Sequence, residues 1–130
     1  MHLGMIGLGK MGANMTTRLL RGGHTLTVFD LSAAALDAAA AEGATPVADL
    51  ALLPAAVVAP RVIWMMIPAG APVESTIAAL QPLLQPGDIL IDGGNSNYKD
   101  TLRRAAGAWS YWRPSCPIRS YRGAYSLLVK

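Results

Sequence analysis

The sequence predicts an α/β domain: a doubly wound parallel sheet with helices on both faces, in three α/β/α layers. Three observations carry this. Short apolar runs alternate with segments of helical period along residues 2 to 106. The runs are continuously apolar rather than alternating, as in strands buried on both faces. A glycine-rich turn, Gly7-Leu8-Gly9-Lys10-Met11-Gly12, joins the first run to the first helix.

Residues 2 to 6 read as a buried strand running into Gly7. In 11 to 21, Met11, Met15, Leu19 and Leu20 share one helical face, and Gly22-Gly23 stops the helix. Residues 25 to 29 form a second strand ending at Asp30. Ser32 is placed to cap an alanine-rich helix over 33 to 41, which Gly43 ends. A short strand follows near 44 to 47 and a small helix over 49 to 57. Residues 61 to 67 are a strongly apolar strand closed by Pro68-Ala69-Gly70. A helix over 73 to 84 is weakened in its last turn by Pro82. Residues 88 to 92 form a further strand ending at Gly93-Gly94, and helix resumes over 97 to 106 with Asn97 as its cap.

Length and composition bound the function. At 130 residues the chain holds one domain, and an apolar fraction of 52% argues against disorder. No apolar stretch is long enough to span a membrane, and the first residues lack the pattern of a signal peptide. Cys116 is the only cysteine, which excludes an internal disulfide and makes a cytoplasmic location the expectation. No His/Cys/Asp/Glu spacing suggests a metal site.

The text changes near residue 106. Residues 107 to 130 hold two of the three tryptophans and three of the four tyrosines, with arginine, serine and proline scattered without period. All eight acidic residues lie at or before Asp100, while six of the eleven basic ones follow it. The expectation is a domain over 1–106 and an irregular, poorly ordered tail over 107–130, arising from a shifted frame or truncated gene. A basic tail can bind nucleic acid, but here the imbalance belongs to the wider compositional break.

The glycine motif follows a strand and opens a helix, the context that makes G-x-G-x-x-G a Rossmann-type dinucleotide signal. Gly7 allows the tight turn, Gly9 lets the backbone approach a pyrophosphate, and Gly12 lets the helix pack closely. The helix N-terminus offers free N–H groups to the phosphates. Asp30 ends the second strand eighteen residues after Gly12, where such a fold places its ribose-binding acid. Its carboxylate would repel a 2′-phosphate, and Leu31 and Ser32 supply no arginine, so NAD is expected over NADP. The turns at Gly7, Pro68-Ala69-Gly70 and Gly93-Gly94-Asn95 all leave from strand carboxyl ends and can share one pocket. His2, His24, Cys116 and Lys99 show no partner pattern for catalysis.

Met5 to Met15 (MIGLGKMGANM), followed by Gly22-Gly23-His24, resembles the β-hydroxyacid dehydrogenase superfamily. Ile91-Asp92-Gly93-Gly94-Asn95-Ser96 with Tyr98-Lys99-Asp100 is narrower and resembles the 6-phosphogluconate dehydrogenases, especially their shorter NAD-using branch. The resemblance covers residues 1 to about 106. It implies that Gly7, Leu8, Gly9, Lys10, Met11 and Gly12 hold the pyrophosphate and Asp30 the adenosine ribose. Met66, Ile67, Pro68 and Ala69 would line the cofactor, and Asn95 would sit by the nicotinamide and the sugar acid. The implied reaction is oxidative decarboxylation of 6-phosphogluconate to ribulose 5-phosphate. The family's Ser-Gly-Gly substrate loop, catalytic lysine and acidic proton donor have no counterpart in residues 107 to 130, nor does the dimer-forming helical domain. Weak dinucleotide binding without turnover is therefore the expectation, with no catalytic residue in these 130. The competing readings are a non-catalytic nucleotide-binding module, a 3-hydroxyisobutyrate-type dehydrogenase, and nucleic-acid binding by the tail.

Overall fold

The computed structural model describes residues 1–94 and the backbone of residues 126–129. The elements are β1 (His2–Ile6), α1 (Lys10–Arg21), β2 (Thr25–Phe29), α2 (Ala33–Ala41), β3 (Thr45–Pro46), α3 (Leu53–Ala56), β4 (Val62–Met65), α4 (Ala71–Leu80), β5 (Ile89–Asp92) and β6 (Ser126–Val129). They form one sheet in the order β3-β2-β1-β4-β5-β6. The first five strands are parallel, as expected, and the order reverses between β1 and β4. The predicted helix over 97 to 106, Asn95 and Cys116 lie outside the described residues.

Buried cores lie on both faces of the part of the sheet formed by β1, β2, β4 and β5, which explains the continuous apolar runs. Leu3 and Met5 of β1 join Leu26 and Val28 of β2 in one core, against Met15, Leu19 and Leu20 of α1 and Leu36 of α2. Ile6, Ile63, Met65 and Leu90 point the other way and pack on Leu53, Val73, Leu80 and Leu84. Met5, Ile63 and Met65 are fully buried, each contributing roughly 1.5–3 kcal/mol of apolar burial. Met11 departs from the predicted helical face: it is 64% exposed, and the buried side of the first turns of α1 runs through Gly12 and Thr16.

The helix ends follow local chemistry. His24 N–H donates to the Leu19 carbonyl while Gly23, at φ +80°, donates to Leu20. The same pattern recurs at Gly43 and Ala44 after α2, with Gly43 at φ +103°. Glycine tolerates this left-handed conformation, which satisfies the last carbonyls of each helix. Ser32 caps α2 by accepting from the Ala35 N–H at 3.3 Å.

Several boundaries differ from expectation. The helix predicted over 73 to 84 starts at Ala71, with Pro72 in its first turn, where no N–H is needed. It stops at Leu80, and Pro82 lies in a following 3-10 turn, Gln81–Leu83. The segment 49 to 57 splits into a 3-10 turn, Leu50–Leu52, and α3. The strand predicted over 61 to 67 is regular only at Val62–Met65. Finally, the stretch read as irregular contributes β6, antiparallel to β5 with Asp92 opposite Ser126. Absence of period across 107 to 130 hid a four-residue run, Ser126 to Val129, that pairs with an open sheet edge.

At the amino ends of β4 and β5, Asp88 joins three segments. Its Oδ1 accepts from the Arg61 N–H at 2.7 Å, and its Oδ2 accepts from the Gln85 N–H at 2.7 Å and Arg61 Nη1 at 2.9 Å. Arg61 Nε also donates to the Pro54 carbonyl at 2.6 Å, at the start of α3. Burial alone would raise the Asp88 carboxyl, but the donated hydrogen bonds and the Arg61 charge outweigh it and hold the carboxyl below its ordinary 3.8. The sequence reading assigned this pair no role. The two histidines have local partners: His2 Nε2 lies 2.8 Å from Thr27 Oγ1, and His24 Nδ1 lies 3.3 Å from the amino terminus.

Candidate dinucleotide-binding site

Three sheet-continuing hydrogen bonds bring the predicted turns to one level. Gly7 N–H donates to the Phe29 carbonyl at 2.9 Å, Met66 to Ile6 at 2.7 Å, and Gly93 to Met65 at 2.8 Å. The chain thus leaves β1, β4 and β5 side by side at the carboxyl edge, where the strand order reverses. A crevice at that point is where open parallel sheets bind ligands.

The glycine motif is built by close approach. Gly7 adopts φ +89°, and a Cβ there would lie 2.5 Å from the Met66 carbonyl oxygen. A Cβ on Gly12 would overlap the Gly7 carbonyl oxygen and touch Met66 Cβ at 3.4 Å. Gly9 is different: a Cβ there meets nothing within 4 Å. Gly7 and Gly12 are therefore required by the fold itself, whereas the space over Gly9 is open. Gly9 is also the N-cap of α1, and no side chain caps that helix. Its first-turn N–H groups and dipole face the open side, the arrangement that receives a phosphate. Lys10 and Met11 are exposed in that first turn, and Leu8 is buried.

Asp30 sits at the end of β2 and is tied to the loop. Its Oδ2 accepts from the Leu8 N–H at 2.6 Å and its Oδ1 from the Ser32 N–H at 2.8 Å. A carboxylate has about four acceptor positions. One remains on each oxygen, enough for two vicinal hydroxyls. Leu31 is 95% exposed beside it.

Met66 and Ile67 are the centre of the site. Met66 borders Gly7 and Gly12 on one side, and its Sδ would lie 2.6 Å from a Cβ on Gly93. The Ile67 carbonyl would lie 2.7 Å from a Cβ on Gly94. Pro68 and Ala69 are exposed, and Gly70, at φ +96°, turns the chain into α4. The Gly93-Gly94 pair thus has a packing reason: Trp64 Nε1, Met66 and Ile67 occupy the space that side chains would need. Trp64 is the wall that sequence reading missed. Its signal was its spacing, two before Met66 on the same side of the sheet. Asp92 is buried and accepts from the Gly94 N–H at 3.0 Å, fixing the turn. The structure thus brings together Gly7 to Gly12, Asp30 and Met66 to Ala69, while Asn95 lies outside the described residues.

Among the described residues, no three His, Cys, Asp or Glu side chains gather as metal ligands, and no helix is long and apolar enough to cross a membrane. A shallow groove between α1 and α2, lined by Thr17, Leu20, Arg21 and Glu42, lies away from the strand carboxyl ends.

This fold and edge define a dinucleotide-binding domain of the oxidoreductase type. Residues 2–110 match the family model described as the NAD binding domain of 6-phosphogluconate dehydrogenase, and the chain belongs to that family. It is 45% identical over 105 residues to the NAD(+)-dependent, decarboxylating 6-phosphogluconate dehydrogenase of Haloferax volcanii, covering 81% of this chain and 35% of that protein. Plasmodium falciparum 6-phosphogluconate dehydrogenase superposes with TM-score 0.75 at 26% identity, over 85% of this chain and 25% of that one. The 3-hydroxyisobutyrate dehydrogenase of Mycobacterium tuberculosis superposes with TM-score 0.70 at 26% identity, over 84% and 36%. The chain therefore spans about a third of the length of the Haloferax relative.

Proposed function

We propose that this chain binds NAD at the carboxyl edge of its sheet, as the cofactor domain of an enzyme that oxidatively decarboxylates 6-phosphogluconate. The observation that carries the reading is the pairing of an open Gly9 and uncapped α1 with a carboxylate one loop away. The residues present fit the dinucleotide. Gly7 to Gly12, with Lys10 and Met11 in the first turn, would hold the pyrophosphate. Asp30 would accept from the adenosine ribose hydroxyls. Met66, Ile67, Pro68 and Ala69 would line the nicotinamide half, with Asn95 beside the nicotinamide and the sugar acid. When bound, NAD supplies the hydride acceptor. The chain's own residues bind and orient.

Asp30 favours NAD over NADP, since a 2′-phosphate would meet a carboxylate already committed to two backbone donors. The 45% match to an NAD(+)-dependent decarboxylating enzyme and the Gly93-Gly94-Asn95 turn favour 6-phosphogluconate over a hydroxyisobutyrate-type substrate. We place the dinucleotide domain at 1–106, which the match over 2–110 supports, and the enzyme in the cytoplasm. A polypeptide of these 130 residues, which covers 35% of the length of the Haloferax enzyme, is expected to bind without turnover. Amide spectra recorded during an NAD titration test the reading. Shifts at Gly7–Gly12, Asp30–Ser32, Met66, Ile67 and Ala69, with Arg61 and Asp88 unmoved, are expected. Shifts confined to Thr17, Leu20, Arg21 and Glu42 would contradict it.

A further inference from the structure

We propose that Asp30 also sets the shape of the phosphate loop, which makes it a positioning residue for the pyrophosphate as well as a reader of ribose. The inference rests on the NAD-binding reading for its consequence, but on the ligand-free geometry for its cause. Leu8 is the second residue of the glycine motif, and only 6% of it is exposed. Its N–H donates to Asp30 Oδ2 at 2.6 Å, a short charge-assisted bond. The preceding N–H, on Gly7, donates to the Phe29 carbonyl at 2.9 Å. Two consecutive donors thus stitch the loop to the end of β2. The next residue is Gly9, around which nothing lies within 4 Å of a Cβ, and then α1 begins. The Leu8–Asp30 bond is therefore the last tie before the open turn, and it fixes where Gly9 and the first N–H groups of α1 stand. Without the carboxylate the Leu8 N–H would lose its acceptor in a buried position, at a cost that displaces the loop.

The two roles coexist because Leu8 and Ser32 take one acceptor position on each oxygen and leave one each for the ribose diol. They separate with a ligand that has the diphosphate and no diol, 2′,3′-dideoxyadenosine diphosphate. If Asp30 only reads ribose, Asp30→Ala leaves this ligand's affinity unchanged or raises it, because a negative charge near the phosphates is gone. If Asp30 sets the loop, affinity falls despite the lost charge, by about tenfold, the scale of one charged hydrogen bond. Asp30→Asn, which keeps one acceptor oxygen, recovers part of the loss.

The experiment titrates the chain and both variants with the dideoxy ligand and with NAD, and measures Leu8 amide exchange without ligand. Weaker dideoxy binding by Asp30→Ala, with a Leu8 amide protected in the wild type and released in the variant, supports the proposal. Equal or tighter dideoxy binding overturns it. A wild-type chain that ignores both ligands removes the NAD-binding reading, and Leu8 exchange then decides the tie alone. If Asp30→Ala does not fold, the wild-type exchange rate decides in the same way: a Leu8 amide as fast as those of Lys10 and Met11 overturns the tie.

Discussion

The carbonyl oxygen of Gly7 lies so close to the Cα of Gly12 that a Cβ on Gly12 would overlap it. The contact locks the start of α1 onto the turn that follows β1. Gly12→Ala is therefore expected to destabilise the domain by about 1–3 kcal/mol, the range for forced overpacking, and to weaken NAD binding with it. Denaturant melts and an NAD titration of the variant check both; an unaltered melt would refute the packing account.

Gly9 should behave in the opposite way. A methyl group there meets nothing within 4 Å, so Gly9→Ala is expected to fold with a change below about 1 kcal/mol. NAD affinity should fall at least about tenfold, because the methyl would occupy the face left for the pyrophosphate. Equal affinities for variant and wild type, in parallel titrations, would place the phosphates elsewhere.

The Asp88 clamp predicts acid sensitivity of a definite sign. Its folded carboxyl lies below the ordinary 3.8, so its stabilising contribution is complete above that value. The contribution is lost as pH falls from there through the folded value. Asp88→Ala should cost about 3–5 kcal/mol near neutral pH by leaving Arg61 half-buried without its charged partner, and should flatten the acid limb of the stability curve. Urea melts across the acid range measure both, and an unchanged acid limb in the variant would count against the assignment.

Gly93→Ala places a Cβ on Trp64 Nε1 and within 2.6 Å of Met66 Sδ. Since Met66 also borders Gly7 and Gly12, the strain should pass into the phosphate loop. The expected outcome is a lower melting temperature together with amide shifts at Gly7 and Gly12; shifts confined to residues 91 to 94 would show that the turns are independent.

Most of the architecture could be read from the residues. Continuous apolar runs such as 61 to 67 reported burial on both faces, and Gly22-Gly23 and Gly43 marked helix ends correctly. Boundaries were blurred where tertiary pairing decides them, as at Val62–Met65, where flanking residues still bond to neighbouring strands without extending the regular ladder. β6 was invisible because its pairing is non-local and its four residues carry no period. In the site, the glycine spacing and Asp30 were legible as motifs. The Leu8–Asp30 bond and the Trp64 wall were not, because each joins segments more than twenty residues apart and forms only once the fold brings a side chain against a distant backbone.

The most direct test of the central claim is calorimetric titration of the folded chain with NAD and, separately, with NADP. Measurable binding of NAD and clearly weaker binding of NADP would match a pyrophosphate held at Gly7 to Gly12 and a ribose read by Asp30. No binding of either, or tighter binding of NADP, would contradict the account.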